Sequence, residues 1–248
     1  MKRRTVYWTL GLLLLSTCLL VLGGGVGSQG WSWPSEWLSD PVSAQIFWDI
    51  RVPRNLGAWL GGALLGLSGA VAQGLFRNPL ADPYLLGSSA GATLGVSLYL
   101  STWGGSMMML AVWERLGITG AAFVGGLLAV MLTLTLSRGM QHTMRLLLAG
   151  VVVGVVLAAL ASLVAILDPR LWQTLQAFML GSAAMIDSSA AVLMGVMLLI
   201  CLSVAVWWSR VLDALHLGED TARSLGMPLS WSRWGLISVM SLATGTAV

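Results

Sequence analysis

Six runs of about twenty residues contain no Asp, Glu, Lys, Arg or His: residues 6–26, 56–75, 88–110, 118–136, 146–167 and 190–208. A seventh starts near Trp234 and reaches Val248. A helix needs about 20 apolar residues to cross a bilayer, and lipid tolerates no open backbone. The pattern confines the chain to an all-α, polytopic transmembrane helical bundle, with six full spans and the start of a seventh. Composition agrees: 57% of residues are hydrophobic and only 9% charged, against roughly 25% charged in soluble domains. So few charges cannot cover a water-facing surface. Residues 1–248 read as a single transmembrane domain, incomplete at the C-terminus because the seventh run is cut in mid-span.

Lys2, Arg3 and Arg4 precede the first apolar run, as in a signal peptide. The run ends in Gly23, Gly24 and Gly25 without a small-x-small cleavage site, so a retained first span is expected. With the N-terminus inside, Lys2, Arg3, Arg4, Arg77, Arg138, Arg145, Arg210, Arg223 and Arg233 fall on the cytoplasmic side. Arg51, Arg54, Arg115 and Arg170 fall outside, and nine against four obeys the positive-inside rule. Trp31, Trp33, Trp37, Trp48, Trp103, Trp113 and Trp172 then lie near outer ends, where an aromatic belt is expected. Cys18 and Cys201 both sit in apolar runs and read as small buried residues, not as a disulfide or metal framework.

Spans without ionisable groups argue against proton-coupled carriers and intramembrane metalloenzymes, which need such groups at membrane depth. The sequence has no G-x-x-x-x-G-K-[ST] loop, catalytic triad or metal cluster, and its net charge of +3 gives no reason to expect nucleic acid. Small residues recur four apart: Gly57 and Gly61, Gly62 and Gly66, Ala70 and Gly74, then Gly87, Gly91 and Gly95, and Gly150 and Gly154. That spacing lets helix backbones approach closely.

Three polar constellations stand out. Between the second and third runs lies Arg77-Asn78-Pro79-Leu80-Ala81-Asp82-Pro83. Pro79 and Pro83 remove backbone donors and push Asn78 and Asp82 out of the helical region. The side chains of Asn78 and Asp82 can then bond nearby backbone, so the segment reads as a hinge or turn. Arg51 and Arg54, three apart, share a face if the second helix starts there; they either snorkel at the interface or pair with carboxylates on a partner. In residues 213–227, Gly218 and Gly226 bracket a short run. Glu219 and Asp220 suit a helix N-terminus. Ala222 and Leu225 fall on one face with Leu215 and Leu217 nearby. A helix this short is unstable alone, so it needs a surface, either the bilayer or another protein.

Taken in order, RVPR (51–54), SGAVAQ (68–73), RNPLADP (77–83), LLGSSAGATLG (85–95), RLLLAG (145–150) and LHLGEDTARSLGM (215–227) resemble the membrane permease subunits of type II ABC importers, the iron-siderophore, haem and cobalamin family. The likeness covers nearly the whole chain. It implies about ten spans in a complete member, in a bacterial inner membrane, with the N-terminus cytoplasmic. It further implies a homodimer with a second copy, ATP-binding subunits on the cytoplasmic side and an extracytoplasmic substrate-binding protein. ATP would sit on the partner subunit, so this chain binds no cofactor and catalyses no covalent reaction. By the same resemblance Arg51 and Arg54 dock the binding protein. Residues Leu215, Leu217, Gly218, Glu219, Ala222, Leu225 and Gly226 form the loop that couples to the ATPase. Thr143 and Met144 belong to the cytoplasmic gate, although a small polar residue is usual where Met144 stands. Residues 168–187, with Trp172, Phe178, Gly181 and Ser182, would hold a short external helix. An iron-siderophore is the first expected cargo, with cobalamin or haem as alternatives. Other readings are an ATPase-independent secondary carrier or an inactive remnant.

Overall fold

The computed structural model describes residues 2–27, 30–31, 40–103, 111–137, 143–181, 183 and 186–247. Helix α1 (Lys2–Gly25) leads into a short hairpin, β1 (Val26–Gly27) antiparallel to β2 (Gly30–Trp31). Helix α2 (Pro41–Ile46) runs through a π-helical turn (Phe47–Arg51) into α3 (Val52–Phe76). A 3-10 turn (Pro83–Leu86) precedes α4 (Ser88–Trp103), followed by α5 (Ala111–Leu136) and α6 (Thr143–Leu167). A second 3-10 turn (Pro169–Leu171) opens α7 (Trp172–Leu180). Then come α8 (Ser188–Trp207), α9 (Ser209–His216), α10 (Glu219–Ser224) and α11 (Leu229–Ala247).

Among the described residues, five stretches are long and apolar enough to cross a membrane: Val6–Gly25, Pro41–Phe76, Gly117–Leu136, Arg145–Leu167 and Ser188–Trp207. Helix α4 is described over 16 residues, about 24 Å at 1.5 Å per residue; residues 104–110 of the expected run lie outside the described residues. Helix α11 is the seventh run, and it buries polar side chains (Ser232, Arg233, Ser241 and Thr244) among its apolar ones. The helix that carries the second run starts at Pro41, well before the apolar residues begin near 56. Asp49, Arg51 and Arg54 interrupt the apolar run without interrupting the helix. Its start is capped by Asp40, whose Oδ2 accepts from the Ser43 amide (3.1 Å) and hydroxyl (2.8 Å), with Pro41 in the first turn. Those bonds from Ser43 hold the Asp40 carboxyl below its usual pKa.

The chain divides into two compact units. One comprises Met1–Gly62 and Ala183–Val196. Here the end of α1 meets the π-helical turn and the start of α3: a Cβ on Gly23 would lie 3.0 Å from the Asn55 side chain, and one on Gly24 would lie 3.2 Å from Phe47. The rest of α1 is largely exposed, so Cys18 points outward and is not buried as its apolar run predicts. For a helix bathed in lipid, an apolar residue needs no protein cover.

The other unit comprises Ala63–Ser182 and Met197–Val248. Its core joins Ala92, Val96 and Leu100 of α4 with Ala122, Ala165, Leu171 and Leu175. Gly91 faces Gly125 across the α4–α5 seam, and a Cβ on either would overlap the other's carbonyl oxygen. Gly150 receives the backbone of Leu85 and Leu86 in the same manner. Buried hydroxyls tie elements together: Thr133 donates to the Leu86 carbonyl and Ser68 to that of Met240, both at 3.0 Å. Cys201 is buried as expected. The glycine pattern splits, because a Cβ added at Gly62 or Gly66 would meet nothing within 4 Å.

Candidate functional site

A cleft of about 940 Å³ lies in the second unit between α4, α6 and α7. Ser89, Thr93 and Ser97 of α4, four apart, form one wall. Gly150, Gly154, Ala158, Ser162 and Ala165 of α6 form the facing wall. Trp172, Gln176 and Met179 of α7 close one side. These residues recur at three or four, so each helix turns one face to the cleft. The hydroxyls of Thr93, Ser97 and Ser162 donate back to the carbonyls of Ser89, Thr93 and Ala158, at 3.0, 2.7 and 2.9 Å. Those three donors are thus occupied, while Ser89, Tyr84, Trp172 and Gln176 bring further donor groups to a lining that is otherwise mostly hydrocarbon. Asp82 and Tyr84 also line the cleft, Asp82 being the one charged side chain in the lining among the described residues. Burial, then the Asp82 charge, raises the Tyr84 pKa, so the phenol stays protonated.

The Arg77–Pro83 segment is an ordered double turn. The Asn78 amide donates to Gln73 O (3.1 Å) and the Arg77 amide to Gly74 O (3.4 Å), closing the end of α3 in a Schellman arrangement. Arg77 occupies the left-handed position there, at φ 51. Glycine takes that position freely, whereas another residue costs on the order of 1 kcal/mol. Asn78 Oδ1 accepts from the Leu80 amide (3.0 Å) and Asp82 Oδ1 from the Tyr84 amide (2.7 Å). Both carry out the turn chemistry that Pro79 and Pro83 predict for them.

Residues 213–227 are not one loop. Helix α9 runs to His216, and Gly218 and Gly226, at φ 110 and φ 73, turn the chain on either side of α10. The apolar residues separate into two sets. Leu215 and Ala222 are core, at 1% and 0% exposure, so they hold the loop and do not face a partner. Leu217 and Leu225, at 69% and 58%, project outward. Ala222 and Leu225 therefore do not share a face, because α10 ends at Ser224 and Leu225 lies beyond it. Glu219 opens α10, where the helix dipole favours its charge. Its carboxylate accepts a hydrogen bond from Arg233, which is nine-tenths buried. It also lies 3.9 Å from Arg77 and 3.8 Å from Arg223. Sequence spacing signals only the i,i+4 pair with Arg223.

Arg51 and Arg54 diverge. Arg51 Nη1 donates to Gly24 O (3.4 Å) and its guanidinium lies over Gly27, whereas Arg54 is exposed. Thr143 and Met144 begin α6, and their side chains lie outside the described residues, as does Ser182. The expected short helix after the fifth run is α7.

Long apolar helices around a cleft are the architecture of a polytopic membrane protein. Residues 12–248 match the FecCD transport family. The chain is 37% identical over 252 residues to the vitamin B12 import system permease protein BtuC of Salmonella paratyphi A, covering 100% of this chain and 72% of that protein. The Salmonella newport protein of the same name gives the same identity and coverage. A solved structure of a metal-chelate type ABC transporter in an inward-facing conformation superposes with a TM-score of 0.83 at 29% identity, covering 96% of this chain and 74% of that one. The chain belongs to the FecCD family and is a multi-pass permease subunit of the type II ABC importer class. Such permeases are not themselves enzymes.

Proposed function

We propose that this subunit forms the membrane path of an ATP-driven importer for a cobalamin-class metal chelate. The observation that carries the cargo is the 37% identity, across the whole chain, to vitamin B12 permeases. It moves cobalamin ahead of the iron-siderophore that the motifs alone put first, with haem behind both. The cleft walled by α4, α6 and α7 suits such a cargo, because its small residues leave room and its mostly apolar lining, with one charged side chain among the described residues, holds a chelate loosely. Weak holding favours release. The test is uptake into vesicles bearing the complex with its cognate binding protein and ATP-binding subunit. Labelled cobalamin accumulates and a ferric siderophore stays outside. Accumulation of the ferric siderophore with cobalamin excluded would overturn the cargo.

A second copy of the chain completes the path, and ATP-binding subunits meet Leu217 and Leu225 on the cytoplasmic side. This orientation follows from nine basic residues inside against four outside, with the N-terminus cytoplasmic in an inner membrane. Thr143 and Met144 serve the cytoplasmic gate, and the double turn at Asn78, Pro79, Asp82 and Pro83 braces that end. On the outer side Arg54, already exposed, meets acidic side chains of the binding protein, while Arg51 secures the helix start. Arg54→Glu lowers binding-protein association about tenfold at low ionic strength and less at high salt. Equal affinity of mutant and parent at low salt would remove Arg54 from the interface.

A further inference from the structure

We propose that Glu219 is the joint through which the docking loop moves the rest of the permease, and that Arg77 is kept in left-handed backbone to reach it. The inference rests on the reading of Leu217 and Leu225 as the ATPase-docking surface. Three arginines from three segments converge on this one carboxylate: Arg77 from the turn after α3, Arg223 from α10 itself and Arg233 from α11. Arg233 is almost fully buried, so its bond to Glu219 fixes the start of α10 to α11. Arg77 is 40% exposed and 3.9 Å away. An ion pair of that kind adds little to stability, and glycine would make the same turn without backbone strain. Stability therefore does not account for arginine at position 77. A link between moving parts does.

The surroundings suit a link. Gly218 and Gly226, at positive φ, turn the chain on either side of α10, and Ala222 seats the six-residue helix in the core, so it shifts together with what it packs against. Exposed Leu217 and Leu225 lie just beyond its two ends. A push on them rotates α10, and Glu219, at its first position, carries the displacement to α11 and to the turn that closes α3. Neither link requires a proton transfer or a bound ion.

The test uses the assembled transporter in liposomes and compares Arg77→Gly with the parent and with Arg77→Lys. In Arg77→Gly the ATP-binding subunit stays bound, ATP hydrolysis persists, and the melting temperature equals or exceeds that of the parent. Cargo moved per ATP falls about tenfold, the size of an ordinary coupling between sites. Arg77→Lys, which keeps the charge without the fork, recovers part of the loss. Unchanged cargo per ATP in Arg77→Gly would overturn the proposal. So would a loss that tracks subunit dissociation or a lower melting temperature, because Arg77 would then serve docking or stability. If the unmodified chain fails to hold an ATP-binding subunit, the docking reading itself is wrong and the joint falls with it.

Discussion

Replacing Leu217 and Leu225 together by Glu strips the ATP-binding subunit from the complex while the permease remains folded in the membrane. Both side chains project from the loop, at 69% and 58% exposure, and neither belongs to the packed core. Charge at either position costs the fold little. It does put carboxylates into an apolar contact where they must lose water without gaining a partner. An interface core is where such a change has its largest effect. Leu215→Glu is the contrasting variant: at 1% exposure it buries a charge and removes the permease itself from the membrane fraction. Co-purification separates the two outcomes. If the Leu217 and Leu225 double variant still carries a full complement of ATP-binding subunit, the loop docks elsewhere, on the bilayer.

Gly91→Leu destabilises the second unit by about 3 kcal/mol or more, at or beyond the upper end for overpacked cores. The reason is that Gly91 and Gly125 meet backbone to backbone, and no rotamer change can move a carbonyl aside. The α4–α5 seam must open, and with it the cluster of Ala92, Val96 and Ala122. Gly62→Ala is the control. A Cβ there meets nothing within 4 Å, and alanine favours helix over glycine by about 1 kcal/mol. Melting in detergent therefore falls for Gly91→Leu and holds or rises for Gly62→Ala. Equal melting of the two would mean that the seam is looser than its geometry.

The spans are legible because lipid imposes a length and an absence of charge that sequence displays directly. The double turn at residues 77–83 is legible too, since Pro, Asn and Asp act within a few residues of themselves. Helix α9 escapes the sequence reading: Val211, Ala214 and Leu215 repeat at three and four, yet the preceding apolar run masks where one helix stops and the next begins. The second long helix begins earlier than its apolar run because charge ends an apolar stretch without ending a helix. The Glu219 cluster cannot be read from sequence, as Arg77 and Arg233 come to it from distant segments that only tertiary packing joins. The cleft is similar. Ser89, Thr93 and Ser97 show a stripe, but the facing stripe on α6 lies more than fifty residues away in sequence.

Uptake in sealed proteoliposomes, with ATP supplied on the side of the Leu217–Leu225 loop and ion gradients either imposed or collapsed, separates an ATP-driven importer from a secondary carrier. Cargo accumulates against its gradient only when both ATP and the ATP-binding subunit are present. Accumulation that persists without ATP and vanishes with the ion gradient would contradict this and make the chain a secondary carrier.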